Sequence, residues 1–150
     1  QYLGAPVRFD SLQQAADAMW IMSSSFGPHT AQQWLELSRH MVRTLPDGGL
    51  AMHYDPAIAQ AFKAMTPEVS AASAMQLWQL YDRIHARTLL LRGAQSDLLS
   101  PETAQAMVHR GPMAKLVEFE GVGHAPTLMA QDQVQVVSEF LLAPEATVAA

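Results

Sequence analysis

The chain has 150 residues, 49% of them hydrophobic, and a formal net charge of -5. That length suffices for one domain with a core, and 14 acidic against 9 basic residues without a basic cluster argue against nucleic acid as a partner. No apolar run reaches the roughly 18 to 20 residues that span a bilayer, which argues against a membrane partner. Without cysteine, disulfides and thiolate metal sites are excluded, and cytoplasm is the default localisation.

The first half of the chain carries helical patterns. Thr30 and Gln33 can form a capping box at the start of the second helix, and Asp55 precedes a proline at the start of the third. In chain order, the predicted helices cover residues 11–26, residues 30–45, a short stretch after Asp55-Pro56, and about residues 70–84. Met75, Trp78 and Tyr81 are expected on the buried side of the fourth helix. We predict that the first half is helical.

The second half changes character at residues 88–93, a short apolar run bounded by glycine that is typical of a buried parallel strand. Ser100-Pro101-Glu102 then opens a helix with a cap, a first-turn proline and an acidic residue. Residues 115–119 form a second candidate strand, and residues 131–142 a last helix. This alternating order predicts two parallel strands joined by a crossover, with the loops after both strands at one edge of the sheet.

Two chemically informative residues lie in those loops. Asp97 comes just after the first predicted strand, and His124 comes just after the second. A histidine base needs a carboxylate on one ring nitrogen to fix its tautomer, so that the other nitrogen can take a proton from a nucleophile. Taken alone, this spacing is also compatible with an Asp that caps a turn and a surface His.

Residues 89–97 (LLLRGAQSD) and 121–126 (GVGHAP) resemble the acid and histidine segments of α/β-hydrolases. The resemblance extends to about residue 142, and the first half is similar, more loosely, to the cap of these enzymes. It implies an α/β fold class, namely the C-terminal part of an α/β-hydrolase fold with a helical cap and two parallel strands with flanking helices. It also implies a catalytic triad in which Asp97 is the acid and His124 the base.

The family's nucleophile stands in a G-x-S-x-G turn between a strand and a helix, and this sequence has no such turn. Ser25 has Gly27 two residues on, but Ser23 occupies the place of the first glycine and the preceding segment is predicted to be helical. We therefore reject Ser25 as the nucleophile. Because the chain also begins without methionine, we expect a processed or truncated product that is inactive alone.

Other candidate sites are weaker. The six histidines show no metal-binding spacing, so no metal site and no cofactor are predicted. Gly121-Val122-Gly123 does not continue into a dinucleotide-binding fingerprint. Trp20 is a candidate substrate-binding residue, as are Leu98 and Ala125, which adjoin the two catalytic positions. The other two tryptophans, Trp34 and Trp78, are expected in the core.

We therefore predict a cap over residues 1–85, the end of the hydrolase core over residues 86–142, and a tail over residues 143–150. The resemblance implies a parent hydrolase of a small apolar carboxylic ester, or of a carbon–carbon bond in a diketone-like substrate. The alternative is a non-catalytic helical binding or interaction module in which Asp97 and His124 only close turns.

Partners follow from the same prediction. One expected partner is a small-molecule substrate. A second partner is expected because two isolated parallel strands would leave two unpaired edges and much apolar surface. The chain is therefore expected to pair with the missing N-terminal half of the same protein or with a second copy, as a homo-oligomer or by domain exchange.

Overall fold

The computed structural model describes residues 7–63 and 66–144, which divide into two compact units. The first unit contains residues 7–24 and 29–83, and the second contains residues 25–28 and 84–144. Of the predicted tail, residues 145–150 lie outside the described residues. The assignment of residues 1–85 as a cap stays a prediction.

The first unit combines helices with a small antiparallel sheet. Its described elements are β1 (Arg8–Phe9), α1 (Leu12–Ser23), α2 (Ala31–Arg39), β2 (Val42–Thr44), β3 (Leu50–Met52), α3 (Ile58–Lys63) and α4 (Pro67–Tyr81). Strand β3 lies in the middle and pairs with both β1 and β2. The expectation of a purely helical first half was wrong, because two- and three-residue strands are too short to show an alternating pattern.

Helices α1 and α2 begin where the sequence predicts. The Ser11 hydroxyl accepts from the backbone N–H of Gln14, and Thr30 and Gln33 form a reciprocal capping box. Helix α2, however, ends at Arg39 instead of continuing to residue 45. Residues 42–44 pair with β3, and a sheet partner of this kind cannot be read from helical spacing.

The core of the first unit lies where α1 packs against α2. Ala15, Ala16 and Met19 of α1 are buried, as are Phe9 and Trp34. The indole N–H of Trp34 donates to the carbonyl of Ala16 at 2.8 Å, which satisfies the one polar group that this ring carries into the core. The expected core position of Trp34 is confirmed.

Helix α4 begins at Pro67, three residues before the predicted start. Met75 is 67% exposed, so its predicted burial was wrong. Trp78 and Tyr81 are half-buried, and their rings meet edge to face with centroids 5.7 Å apart. No helix among the described residues has the length and apolar character needed to cross a membrane.

The second unit has the predicted alternation of strands and helices. Its elements are β4 (Leu89–Gly93), α5 (Pro101–Val108), β5 (Lys115–Phe119) and α6 (Gln131–Leu142). Strands β4 and β5 pair in parallel, with Leu89 opposite Lys115 and Gly93 opposite Phe119. Ser100 caps α5 through the N–H of Thr103, with Pro101 at the first turn.

Candidate active site

The loops that follow β4 and β5 leave the same edge of the sheet, because the two strands are parallel neighbours. We call residues 94–99 the acid loop and residues 120–126 the histidine loop. Backbone bonds join them: the Ala94 N–H donates to the Phe119 carbonyl, and the Gln95 N–H donates to the Val122 carbonyl, each at 2.9 Å. The structure therefore brings together the two segments that carry Asp97 and His124.

Gly93 makes this close approach of the loops feasible. A methyl group on Gly93 would lie well inside contact distance of the carbonyl oxygens of Val122 and Gly123. Only a residue without a side chain can end β4 here while the histidine loop passes over it. The glycine that the sequence offers as a strand terminator thus also sets the spacing between the loops.

Arg92, the residue before Gly93, anchors the far end of the acid loop. Its side chain is 3% exposed, and it donates to the Leu99 carbonyl at 2.7 Å and to a Glu118 carboxylate oxygen at 2.5 Å. Glu118 lies opposite Arg92 in the sheet register. A buried guanidinium needs such partners, and by taking them it ties the loop's end to both strands.

The segment of residues 25–28 packs on the histidine loop inside the second unit. The Gly123 N–H donates to the Ser25 carbonyl at 2.5 Å. Gly27 has a φ of +111°, and its α-carbon faces the Val122 side chain, so a side chain there would be strained and crowded. Ser25 itself lies in a 3-10 turn, residues Ser24–Phe26, directly after α1. The strand that a nucleophile elbow requires does not precede it.

Asp97 and His124 both have exposed side chains. In this part of the described chain, Nδ1 of His124 lies 3.4 Å from the Ser96 hydroxyl, and no hydrogen bond or ion pair joins it to Asp97. The structure thus places the two residues on adjoining loops but does not join them directly. Their assignment as acid and base stays a prediction.

At the start of α5, Glu102 shows the clearest electrostatic effect near these loops. Its own backbone N–H and the Ser100 side chain act on the carboxylate and hold the pKa of Glu102 below its ordinary value. The positive charge of Arg92 acts in the same direction with a smaller effect. The free N–H groups at a helix start favour a carboxylate for the same reason.

The chain is similar to known hydrolases. It is 41% identical over 142 residues to the 3-hydroxybutyrate-oligomer hydrolase of Cupriavidus necator, covering 93% of this chain and 48% of that protein. The crystal structure of an α/β hydrolase from Novosphingobium aromaticivorans matches with a TM-score of 0.74 and 33% identity, covering 93% of this chain and 48% of the other. These matches show that the chain has an α/β-hydrolase fold.

A second solved structure, a putative hydrolase from Rickettsia typhi, has a TM-score of 0.72 and 26% identity, and the match covers 93% of this chain and 45% of that one. No protein-family model matches the chain. The chain spans about half the length of the relatives it matches. The recognition of an α/β-hydrolase and its predicted fold class are confirmed, and the half-length coverage is consistent with a C-terminal half.

The predicted substrate-binding residues fall in different units. In the second unit, Leu98 is 75% exposed in the acid loop and Ala125 is half-buried in the histidine loop. Trp20 belongs to the first unit, where its ring meets the Trp34 and His29 rings edge to face at the rim of a cavity of about 200 Å³. The role of each in substrate binding stays a prediction.

Several features of the structure were not predicted. The Ser96 hydroxyl in the acid loop contacts His124 in the histidine loop. Arg92 at the end of β4 contacts Glu118 in β5. In both pairs the partners are far apart in the sequence. The first unit also contains an apolar cavity of about 260 Å³, and its lining residues are Val7, Phe9, Ala18, Met19, Met22, Met52 and Tyr54. Within residues 7–63 and 66–144, no group of three or more His, Asp or Glu residues could hold a metal ion.

Proposed function

We propose that this chain is the acid- and base-bearing part of a hydrolase that cleaves a small carboxylic ester. Asp97 is the acid, His124 is the base, and the nucleophile lies upstream in a longer protein. The observation that carries the proposal is the junction of the acid and histidine loops at one edge of the β4–β5 sheet, held by the Gln95 to Val122 backbone bond. The hydrolase relatives support the same reaction class.

In the proposed mechanism, the upstream hydroxyl oxygen attacks the ester carbonyl carbon while Nε2 of His124 takes its proton. His124 then returns that proton to the leaving alcohol. A water molecule, deprotonated by the same nitrogen, releases the acid and restores the nucleophile. Asp97 holds Nδ1–H and stabilises the imidazolium that forms at each transfer.

For the substrate we propose an ester of a short hydroxycarboxylic acid. The support is the relative from Cupriavidus necator, whose name gives 3-hydroxybutyrate oligomers as its substrate. Hydrolysis of a carbon–carbon bond is compatible with the same residues, and assays with both substrate classes separate the two. A non-catalytic binding module has no support from the relatives, which are hydrolases. Cytoplasmic localisation stays a prediction.

The test is hydrolysis by the full-length protein of p-nitrophenyl butyrate, of a 3-hydroxybutyrate dimer and of a diketone. We expect turnover of the two esters and none of the diketone. Changing His124 to Ala should lower kcat on the order of 10⁴-fold or more, because the base is lost.

The matched control is His109→Ala. His109 is also exposed and also belongs to the second unit, but its Nδ1 lies 2.7 Å from the carbonyl of Gln105 at the end of α5, away from both loops. We expect this variant to keep its activity. Equal losses in the two variants, or ester turnover by His124→Ala at the original rate, would rule out His124 as the base.

A further inference from the structure

Ser96 belongs to the acid loop and contacts the histidine loop, and its hydroxyl oxygen is held in place by the backbone. The Ser96 N–H donates to the Gly93 carbonyl at 2.9 Å, and the Leu99 N–H donates to the Ser96 hydroxyl oxygen at 3.1 Å. Because the backbone N–H and the hydroxyl oxygen of Ser96 are both held, the hydroxyl hydrogen is the part of this side chain that is free to rotate. Its oxygen stands 3.4 Å from Nδ1 of His124.

The direction of this contact is tied to the tautomer of His124. A serine hydroxyl has one hydrogen to donate and two lone pairs, and the Leu99 N–H occupies one of those lone pairs. The hydroxyl hydrogen is therefore available for Nδ1 of His124, which lies within hydrogen-bond distance. When Ser96 donates, Nδ1 carries no proton, and a neutral imidazole then has its proton on Nε2.

That tautomer is the wrong one for a base, because Nε2 must have a free lone pair to take a proton from the nucleophile. We propose that Ser96 is a positioning residue that holds His124 in the resting Nε2–H tautomer, and that Asp97 displaces it at Nδ1 when His124 acts as the base. The inference rests on the proposed function, since it concerns the same base.

The exchange between the two forms is balanced in protons. Water first protonates Nδ1, the resulting imidazolium gives its Nε2 proton back to water, and the ring is neutral again. His124 is exposed, which lets solvent reach both nitrogens. Nδ1–H then donates to the Asp97 carboxylate. Asp97 is also exposed and follows Ser96 directly, so a turn of its side chain towards Nδ1 would uncover no buried group.

The test is the tautomer of His124 in protein that carries isotopically labelled histidine. Long-range proton–nitrogen correlation spectra distinguish Nδ1–H from Nε2–H, and the His124 signals are assigned by their loss in His124→Gln. The measurement is made at about pH 8.5, where an ordinary imidazole is neutral. We expect Nε2–H in the unaltered protein and a shift of about fivefold towards Nδ1–H in Ser96→Ala, the effect of losing one neutral hydrogen bond.

Two variants serve as controls. Ser96→Thr keeps the hydroxyl and should retain the Nε2–H tautomer. Ser100→Ala also removes a serine hydroxyl, the one that caps α5 four residues later, so it reports the effect of loosening the end of this loop without touching His124. A predominantly Nδ1–H ring in the unaltered protein, or a Ser96→Ala spectrum that matches Ser100→Ala, would overturn the proposal.

Kinetics separate this inference from the proposed function. In the full-length protein, Ser96→Ala should raise kcat for the ester about two- to fivefold with KM unchanged, because more of the ring starts in the base form. A residue with only a structural role would lower kcat. If no ester is turned over by the unaltered protein, the proposed function fails. If ester turnover is normal but the His124 tautomer is the same in Ser96→Ala as in the unaltered protein, only the proposed role of Ser96 fails.

Discussion

Gly93 and Gly48 are both glycines in turns or strand ends, but different forces require them. At Gly93 the requirement is space, since a methyl group would collide with the backbone of Val122 and Gly123. At Gly48, in the turn between β2 and β3, a methyl group meets nothing within 4 Å, but the φ of +82° is strained for any residue with a side chain.

We therefore expect unequal losses from the two alanine substitutions. Gly48→Ala should lower the free energy of unfolding by about 1 kcal/mol, the cost of a left-handed backbone at one residue. Gly93→Ala should cost about 3 kcal/mol or more, because the two loops must separate to admit the methyl group. Urea unfolding of both variants against the unaltered protein measures the difference.

Equal losses of unfolding free energy in the two variants would show that the histidine loop can move away from residue 93 at little cost. Ester hydrolysis gives a second measure in the full-length protein. Gly93→Ala should lower activity because it displaces His124, whereas Gly48→Ala changes the first unit and leaves both loops as they are.

For single residues, the sequence predicts candidate catalytic residues better than it predicts which residues contact them. Asp97 and His124 could be chosen because strand ends and a recognisable motif mark them. Ser96 and Arg92 could not, since their contacts join positions 28 and 26 residues apart. Whether Nδ1 meets Ser96 or Asp97 depends on the loop's backbone bonds, which no local pattern encodes.

Helix α5 shows how one element responds to pH. Hydrogen bonds to the Glu102 carboxylate lower its folded-state pKa below the ordinary value of 4.5. A lowered pKa means that Glu102 contributes stability above its unfolded-state pKa, and that this contribution is lost as the pH falls through the folded-state value.

Glu102→Gln should therefore lower the melting temperature at pH 7, while at about pH 2 the variant and the unaltered protein should melt alike. Thermal melts followed by circular dichroism at both pH values provide the measurement. Glu139→Gln, near the C-terminal end of α6 where the helix dipole opposes a carboxylate, should show no loss at pH 7. A Glu102→Gln deficit that persists unchanged in acid would contradict the hydrogen-bonded carboxylate.

Predictability also differs among elements. Strand β5 and helix α6 have the predicted bounds, because one is a compact five-residue run and the other a clear helical pattern. Strands β1, β2 and β3 have two or three residues each, and their stability comes from pairing with one another. The predicted range of α2 was too long because Met41 and Leu45 continue its helical spacing by coincidence, whereas residues 42–44 pair with β3.

On the scale of the whole molecule, the second unit leaves several large apolar side chains exposed. Among the described residues, β4 and β5 form a sheet of two strands. Exposed apolar side chains of this unit include Leu98, Met113, Val134, Leu141 and Leu142. Unpaired strand edges and apolar surface of this kind favour association.

We expect the purified 150-residue chain to associate with itself, or with the proposed upstream part of a longer protein when that part is supplied. Light scattering at micromolar concentration, with and without the co-expressed upstream part, provides the measurement. A well-folded monomer that ignores the upstream part would contradict this expectation and strengthen the case for an independent binding module.

Residues 25–28 have a practical consequence for anyone who shortens the gene. A product that begins at residue 86 contains both loops and both strands, yet it lacks the Ser25 carbonyl that receives the Gly123 N–H and the glycine that faces Val122. The histidine loop would then expose an unsatisfied amide beside His124. A shortened protein that keeps these contacts of the second unit must therefore contain two separate stretches of the sequence. A linker has to join residues 25–28 to the stretch that begins near residue 84.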